Sequence, residues 1–297
     1  MKSCVLALGF FDGVHLGHGG LLKKARQRAD ALGICAAALT FDRHPASLIT
    51  GAPTPLLNTA SERAELMRSL YGMDEVCVLP FDEAMRSLPW EIFAEKILLE
   101  TYHARHIVCG HDYRFGSGGQ GTPEKLKEFC KTHGLGFDCI PEIRLEGQTV
   151  SSTLIRKLLS EGDVETASRF LGHPHFLTGT VVDGRKVGRT LGIPTANLRT
   201  DGGILLPKRG VYAAKAFFEG KNYPAVVNIG TRPTFEGSSL TVEPWLLEFE
   251  GDLYGKTLRL EFYAYLREER KFSSSEELKE EIHRNAAQTR ALLETNM

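Results

Sequence analysis

The stretch ALGFFDGVHLGH, residues 7–18, begins as an apolar run and ends with two histidines three residues apart. Its apolar start reads as a strand, Asp12 and Gly13 as a turn, and Gly17 and His18 as the opening of a helix over HGGLLKKARQRADALG. In α/β sheets, ligands bind outside the carboxyl ends of the strands, where the loop enters the next helix. At such a junction Gly9 lets the backbone approach a ligand closely, and the free N–H groups of the helix attract anions. Imidazoles there can donate hydrogen bonds to phosphate oxygens. A zinc pair and ordinary surface histidines are the alternatives. Zinc usually takes three or four ligands, and neither HExxH nor a second close pair of metal-type spacing occurs.

Four further apolar runs follow: ICAAALTF (34–41), EVCVLPF (75–81), HIVCG (106–110) and FDCIPEI (137–143). They alternate with segments of helical period, ASERAELMRSLYG, PWEIFAEKILLETYH and TPEKLKEFCKTHG. Strand and helix in alternation predict an α/β domain around a parallel sheet, with strands apolar enough to be buried on both faces. SSTLIRKLLSEGDVETASRFLG predicts two short helices, after which the character changes at HPHFLTGTVVDG. The expected domains are therefore 1–172 and 173–297. Beyond the boundary come FLTGTVV, GVYAAKAFF, YPAVVNIG, LTVEPWLLEF and TLRLEFYAYL, strand-like runs that suggest an antiparallel barrel or sandwich. SSSEELKEEIHRNAAQTRALL closes the chain as a helix with a serine N-cap and acidic first turns.

The 297 residues are 42% hydrophobic and 25% charged, with no apolar run long enough to span a bilayer. The start, MKSC before VLALGFF, is too short and wrongly flanked for a signal peptide, so the cytoplasm is the expected compartment. A net charge of -1 gives no overall positive field for nucleic acid. All six cysteines lie between Cys4 and Cys139, and five sit one to a predicted strand, as small buried core residues; no CxxC pair occurs.

Three more segments bear on chemistry. VSSTLIRKLL places the hydroxyls of Ser151, Ser152 and Thr153 before a helix with Arg156 in its first turn. A cation there opposes the helix dipole unless an anion such as a triphosphate lies between; simple N-capping with a solvated arginine is the alternative. GSGGQG, residues 116–121, satisfies GxGxxG, but HDYRF separates it from the fourth strand, so it is expected to be a mobile glycine-rich loop and not a dinucleotide site. In GRKVGRTLGIPTANL, residues 184–198, the glycines and arginines could fold over phosphates. Pro194 there sets an extended segment in which Thr195 and Asn197 point oxygens to one side, a donor type that magnesium accepts. A glycine-rich hairpin with polar turn residues fits that spacing equally well.

GFFDGVHLGH, TFDRHP, PFD, GHDYRFG and VSSTLIR, in this order, resemble the adenylyltransferase module of prokaryotic bifunctional riboflavin kinase/FAD synthetases, one of the HxGH nucleotidyltransferases. GRTLGIPTANL, GVYAA, NIGTRPTF, TVEPWLLEFEGDLYG and LREERKF are similar to successive motifs of riboflavin kinase. Together they cover nearly the whole chain. The resemblance implies a Rossmann-like nucleotidyltransferase sheet followed by a small antiparallel β-barrel with a terminal helix. It implies that His15, His18 and Arg156 hold the ATP phosphates, with Gly9, Phe10, Asp12, Ser152 and Thr153 around the nucleotide. Phe41, His44, Pro45 and Asp112 would line the pocket for ATP and flavin. In the second half it implies that Gly188 and Arg189 cover the phosphates, that Thr195 and Asn197 bind magnesium and phosphate, and that Glu243 is the general base. Two positions depart from the family pattern: Arg43 stands where proline is usual in TFDRHP, and Pro244 follows Glu243 where a backbone donor is usual. Proline in a strand favours an edge or a bulge. Trp245 is expected as an added packing residue, with an apolar wall for the flavin as the less favoured alternative.

The resemblance thus implies a two-headed flavin enzyme. Riboflavin becomes FMN and FMN becomes FAD, with Mg-ATP in both steps and neither nucleic acid nor membrane as partner. Another HxGH nucleotidyltransferase, a class I aminoacyl-tRNA synthetase and a non-catalytic flavin-binding module are the rivals. The first leaves the PTAN half unexplained, and the second lacks a KMSKS-like segment.

Overall fold

The computed structural model describes residues 2–183, 193–234 and 237–295, which form two compact units dividing at residues 154 and 155. In the first, strands β1 (Cys4–Leu8), β2 (Cys35–Phe41), β3 (Glu75–Leu79), β4 (Ala104–Gly110) and β5 (Gly136–Ile140) pair in parallel in the order β3-β2-β1-β4-β5. All five residues of β1 are fully buried, as its unbroken apolar sequence requires of a central strand. Helices α1 (Leu16–Leu32), α2 (Pro45–Thr50), α3 (Ala60–Tyr71), α4 (Glu83–Ser87), α5 (Trp90–Ile92) and α6 (Pro123–Thr132) connect them, α5 running directly into a π-helical stretch, Phe93–Thr101. The core joins Leu6, Leu8, Leu39 and Ile107 of the sheet to Phe93, Leu98 and Leu126 of the helices.

Each of the five strands carries one cysteine, but they are not all core residues. Cys4 and Cys109 are buried, Cys35 and Cys77 partly so, and Cys139 is exposed, because β5 is an edge strand. The GSGGQG loop is not loose either. Ser117 N donates to the Leu88 carbonyl at 2.7 Å, Phe115 bridges to Gly121, and a Cβ on Gly116 would fall 2.5 Å from Trp90. Gly116 allows close packing on the Trp90 main chain and Gly121 on the Phe115 ring. After a short hairpin, β6 (Arg144–Leu145) and β7 (Gln148–Thr149), the chain enters α7 (Ser152–Glu161) and α8 (Val164–Leu171). Ser151, not a longer hydroxyl run, caps α7 by accepting from Leu154 N at 3.2 Å. Ser152 and Thr153 are already helical, and Arg156 is the fifth helix residue and not part of the first turn.

The second unit holds α8, which packs on the barrel, and most of α7, although the sequence expectation groups both with the first domain. Strands β8 (His175–Val182), β9 (Asn197–Thr200), β10 (Gly210–Phe218), β11 (Lys221–Thr234), β12 (Gly237–Leu246) and β13 (Thr257–Arg267) close into a barrel in the order β10-β11-β12-β9-β8-β13. Closure by β13 with β10 decides for a barrel over a sandwich and leaves no unpaired edge among the described strands. Inward residues alternate along β13 as Leu258, Leu260, Phe262 and Ala264. Short β9 has no apolar run of its own and is a strand only because β8 and β12 flank it.

Pro244 lies within this closed sheet, not at an edge. Its carbonyl accepts from Ala196 N at 2.9 Å, so its missing N–H faces the thin β9 seam and the β11 ladder is intact. Helix α9 (Ser275–Thr295) packs on β10 and β11, burying Ala286 against Val211, Val226 and Leu247. Its start has the expected serine cap: Ser274 Oγ accepts from Glu277 N at 3.1 Å, while the Glu277 carboxylate accepts from Ser273 N at 3.0 Å.

His175, 2% exposed at the start of β8, has an Nε2 with no hydrogen-bond partner. Burial, helped by His173, lowers its pKa to about 3. Unfolded histidine titrates near ~6.5, so below that pH the unfolded chain takes up a proton that the fold refuses. Stability is complete above ~6.5 and falls as pH drops towards the folded value, by up to about 1.4 kcal/mol per pH unit. Urea denaturation as a function of pH should show this slope in the native protein and a flatter curve in His175→Phe.

Candidate active sites

In the parallel sheet the connections reverse direction between β1 and β4, the switch point at which open α/β sheets bind ligands. Loops after β2, β1 and β4 emerge side by side there. Gly9, Phe10 and Asp12 lie at the exit of β1, Phe41, His44 and Pro45 at the end of β2, and Asp112 just past β4. The β1 loop is strained: Phe11 (φ 57°) and Val14 (φ 43°) take the left-handed region beside Gly13 (φ 81°), and both apolar side chains are fully buried. A β-branched residue at positive φ is rare and persists only where its surroundings over-determine it.

Asp12 supplies much of that determination. At 2% exposure its carboxylate accepts from Leu57 N (2.9 Å) and Asn58 N (3.4 Å), and its backbone carbonyl accepts from Ser152 Oγ at 2.9 Å. Its carboxylate thus shapes the loop, and Ser152 joins α7 to it. His15 caps α1, its Nδ1 accepting from His18 N at 3.2 Å, which leaves Nε2 as the nitrogen that carries the proton. The two imidazoles stack face to face, 3.6 Å between centroids. Gly17 is required here, since a Cβ would lie 3.0 Å from the His15 ring and 3.2 Å from the Val150 carbonyl. Burial, then His15, then Arg63 push the His18 pKa well below the ordinary range, and its buried Nδ1 has no partner.

The β2 loop is built in the same way. His44 caps α2 by accepting from Ala46 N at 3.1 Å, Pro45 takes the first helical position, and the Phe10 and His44 rings meet edge to face at 4.7 Å. Arg43 points outward, 3.5 Å from the Asp42 carboxylate, so the charge that replaces the usual proline is spent at the surface. Asp112 and Thr153 are exposed, and Arg156 is half-buried in the second compact unit.

In the barrel, Thr195 and Glu243 share the wall of a cavity of about 350 Å³. Glu243 and Trp245, two apart on β12, both face it, with Asn228 opposite Glu243 and Val226 opposite Trp245 on β11. Trp245 is therefore a cavity wall as well as a packing residue against His283 of α9. Phe272, Leu278 and Ile282 complete the apolar side. Arg267 and Arg270 stand at the rim, held by buried Glu281 of α9 at 3.3 and 2.9 Å, with Arg284 on the same carboxylate at 2.6 Å. Thr195 also lines a smaller adjoining cavity of about 80 Å³ beside Pro194 and Tyr254. Asn197, half-buried, opens β9 opposite Val182. Gly188 and Arg189 lie outside the described residues.

Residues without an assigned role in the sequence reading are Arg63, Asn228, Arg267, Arg270 and Glu281. Arg63 leaves a trace in the sequence, a cation on the apolar stripe that also buries Ala64, Leu66 and Met67 of α3. Among the described residues no three His, Cys, Asp or Glu side chains group to hold a metal, and no helix is long and apolar enough to cross a membrane. The neutral oxygens of Thr195 and Asn197 suit a magnesium ion that arrives on phosphates better than a resident metal.

An α/β unit with paired histidines at a strand-end switch point, followed by a closed barrel with a carboxylate in its cavity, defines a two-domain class of protein. The FAD synthetase family model matches residues 1–154 and the riboflavin kinase model residues 171–293. The chain belongs to the bifunctional riboflavin kinase/FMN adenylyltransferase family. A member from Listeria monocytogenes is 36% identical over 290 residues, 97% of this chain and 91% of that protein. One from Pseudomonas fluorescens is 36% identical over 292 residues, 98% of this chain and 93% of that protein. A Streptococcus pneumoniae crystal structure described as a macrolide-efflux protein has the same fold, with a TM-score of 0.86 and 31% identity over 97% of this chain and 94% of that one.

Truncating Asp12 to alanine leaves the Leu57 and Asn58 N–H groups buried without an acceptor. A loss of about 2–4 kcal/mol of stability is expected in the first unit, with the barrel unaffected. Hydrogen exchange resolved by segment would show faster exchange at residues 9–18 and 57–58.

Proposed function

We propose that this chain phosphorylates riboflavin at the barrel cavity and adenylylates the resulting FMN at the strand-end site, releasing FAD and pyrophosphate. The reading rests above all on Thr195 and Glu243 lining one cavity, in a unit matched by the riboflavin kinase model, while the stacked histidines crown a unit matched by the FAD synthetase model.

In the first step the ribityl 5'-hydroxyl oxygen attacks the γ-phosphorus of ATP, ADP leaves, and Glu243 accepts the hydroxyl proton. Thr195 and Asn197 meet the phosphates and the magnesium that neutralises them. Trp245 offers its face to the flavin ring. Two residues along a strand span about 6.6 Å, which suits a ring at Trp245 and a terminal hydroxyl at Glu243.

In the second step an FMN phosphate oxygen attacks the α-phosphorus of ATP and pyrophosphate departs; no covalent bond to the protein forms. His15 and His18 receive the triphosphate at the start of α1, where helix N–H groups favour an anion. Burial keeps His18 neutral in the unliganded site, and its ring can donate a hydrogen bond to a phosphate oxygen there. Gly9, Phe10, Ser152 and Thr153 line the nucleotide; Phe41, His44, Pro45 and Asp112 line the flavin side. Arg156, four residues beyond Ser152 on α7, is assigned to phosphate by family resemblance alone.

Purified protein with riboflavin and Mg-ATP should form FMN and then FAD in a chromatographic time course, and no flavin conversion would overturn the reading. His18→Ala should cut FAD formation by about a hundredfold or more while FMN accumulates; Glu243→Ala should cut FMN formation by a similar factor and leave added FMN adenylylated normally. Trp245→Ala should raise the KM for riboflavin about tenfold with kcat little changed, through lost ring contact.

A further inference from the structure

Among the described residues Arg63 is the largest fully buried side chain, with no part exposed. Its Nη2 donates to the Phe41 carbonyl at 2.5 Å, while Nε and Nη1 have no hydrogen-bond partner. The guanidinium lies over the Phe10 ring, 4.3 Å from its centroid. Asp12, Asp42 and Glu62 attract its charge, and His18 is repelled by it. A buried cation that satisfies only one of its nitrogens is costly, and a methionine of similar length would fill the space without that cost. Packing alone therefore does not account for it.

What the guanidinium touches does. Phe41 ends β2 and leads into His44 and Pro45, and Phe10 belongs to the loop that leads into His15 and His18. Arg63 is a link between these two segments, made from α3, and its positive charge is felt at His18. We propose that Arg63 is a positioning residue for adenylyl transfer. It locks the Phe10 loop to the end of β2, and its charge adds to the attraction that a polyphosphate meets at the histidine site. This rests on the adenylyltransferase reading of that site.

The test uses full-length R63M and R63K. Adenylylation of FMN and phosphorylation of riboflavin are measured in each, together with the rise in Tm caused by inorganic tripolyphosphate with magnesium. In R63M, kcat/KM for adenylylation should fall about a hundredfold, the size of a misplaced reacting group, and the tripolyphosphate shift should vanish while phosphorylation stays within about twofold. R63K keeps the charge without the guanidinium contact on Phe10, so it should keep most of the Tm shift and still lose about tenfold in adenylylation.

Wild-type adenylylation in either variant overturns the proposal, as does an unchanged tripolyphosphate shift in R63M. Should R63M lose phosphorylation too, and so fail to fold, R63K decides by the same two readouts. If native protein makes no FAD yet shows the tripolyphosphate shift and R63M does not, the reaction assignment fails and the charge role of Arg63 stands. If native protein makes FAD and R63M matches it, only the present inference fails.

Discussion

The parallel pairing of β1 with β2 on one side and β4 on the other is the constraint on which the first unit depends. It buries every residue of β1, so the chain must leave the sheet abruptly at Gly9 and reverse into α1 within a few residues. The left-handed residues Phe11, Gly13 and Val14 are the consequence of that short path. Strain at those positions is tolerated because Asp12 is held by backbone donors from residues 57 and 58 and because both neighbouring apolar side chains are sealed in the core. The stacked histidines inherit their position from this loop.

The barrel answers a different problem. A short antiparallel sheet with exposed edges would invite association; closure of β13 onto β10 removes them. Closure also sets inner and outer faces, so that the i, i+2 period of β12 sends Glu243 and Trp245 to the same cavity. Helix α9 then covers the open side, and its buried Glu281 gathers three arginines, two of them from the end of β13 at the cavity rim. The helix is thereby tied to the site by charge as well as by the apolar contact of Ala286.

Much of this was legible in the amino-acid order. Five apolar runs with helical segments between them specify a parallel sheet, and the alternating runs after residue 175 specify antiparallel strands. His15, His18, Thr195 and Glu243 could be singled out because their motifs are contiguous. Three features escaped for identifiable reasons. β9 has too few residues to show a period and owes its extended form to its neighbours. The GSGGQG loop looks free in sequence but is pinned by Leu88 and Trp90, which precede it by more than twenty residues. Cys139 sits in an apolar run like its four counterparts, yet its strand is the last of the sheet.

By itself the sequence determined which segments are strands, which are helices and where glycine or a capping side chain must stand, because periodicity, capping and turn chemistry act over a few residues. Tertiary structure alone decided what those elements bring together. Ser152 reaches the Asp12 carbonyl across 140 residues, and Arg63 reaches the Phe41 carbonyl across 22. Thr195 and Glu243 meet at one cavity only because β9 is drawn between β8 and β12. Contacts of that range depend on sheet order and barrel closure, which no local pattern encodes.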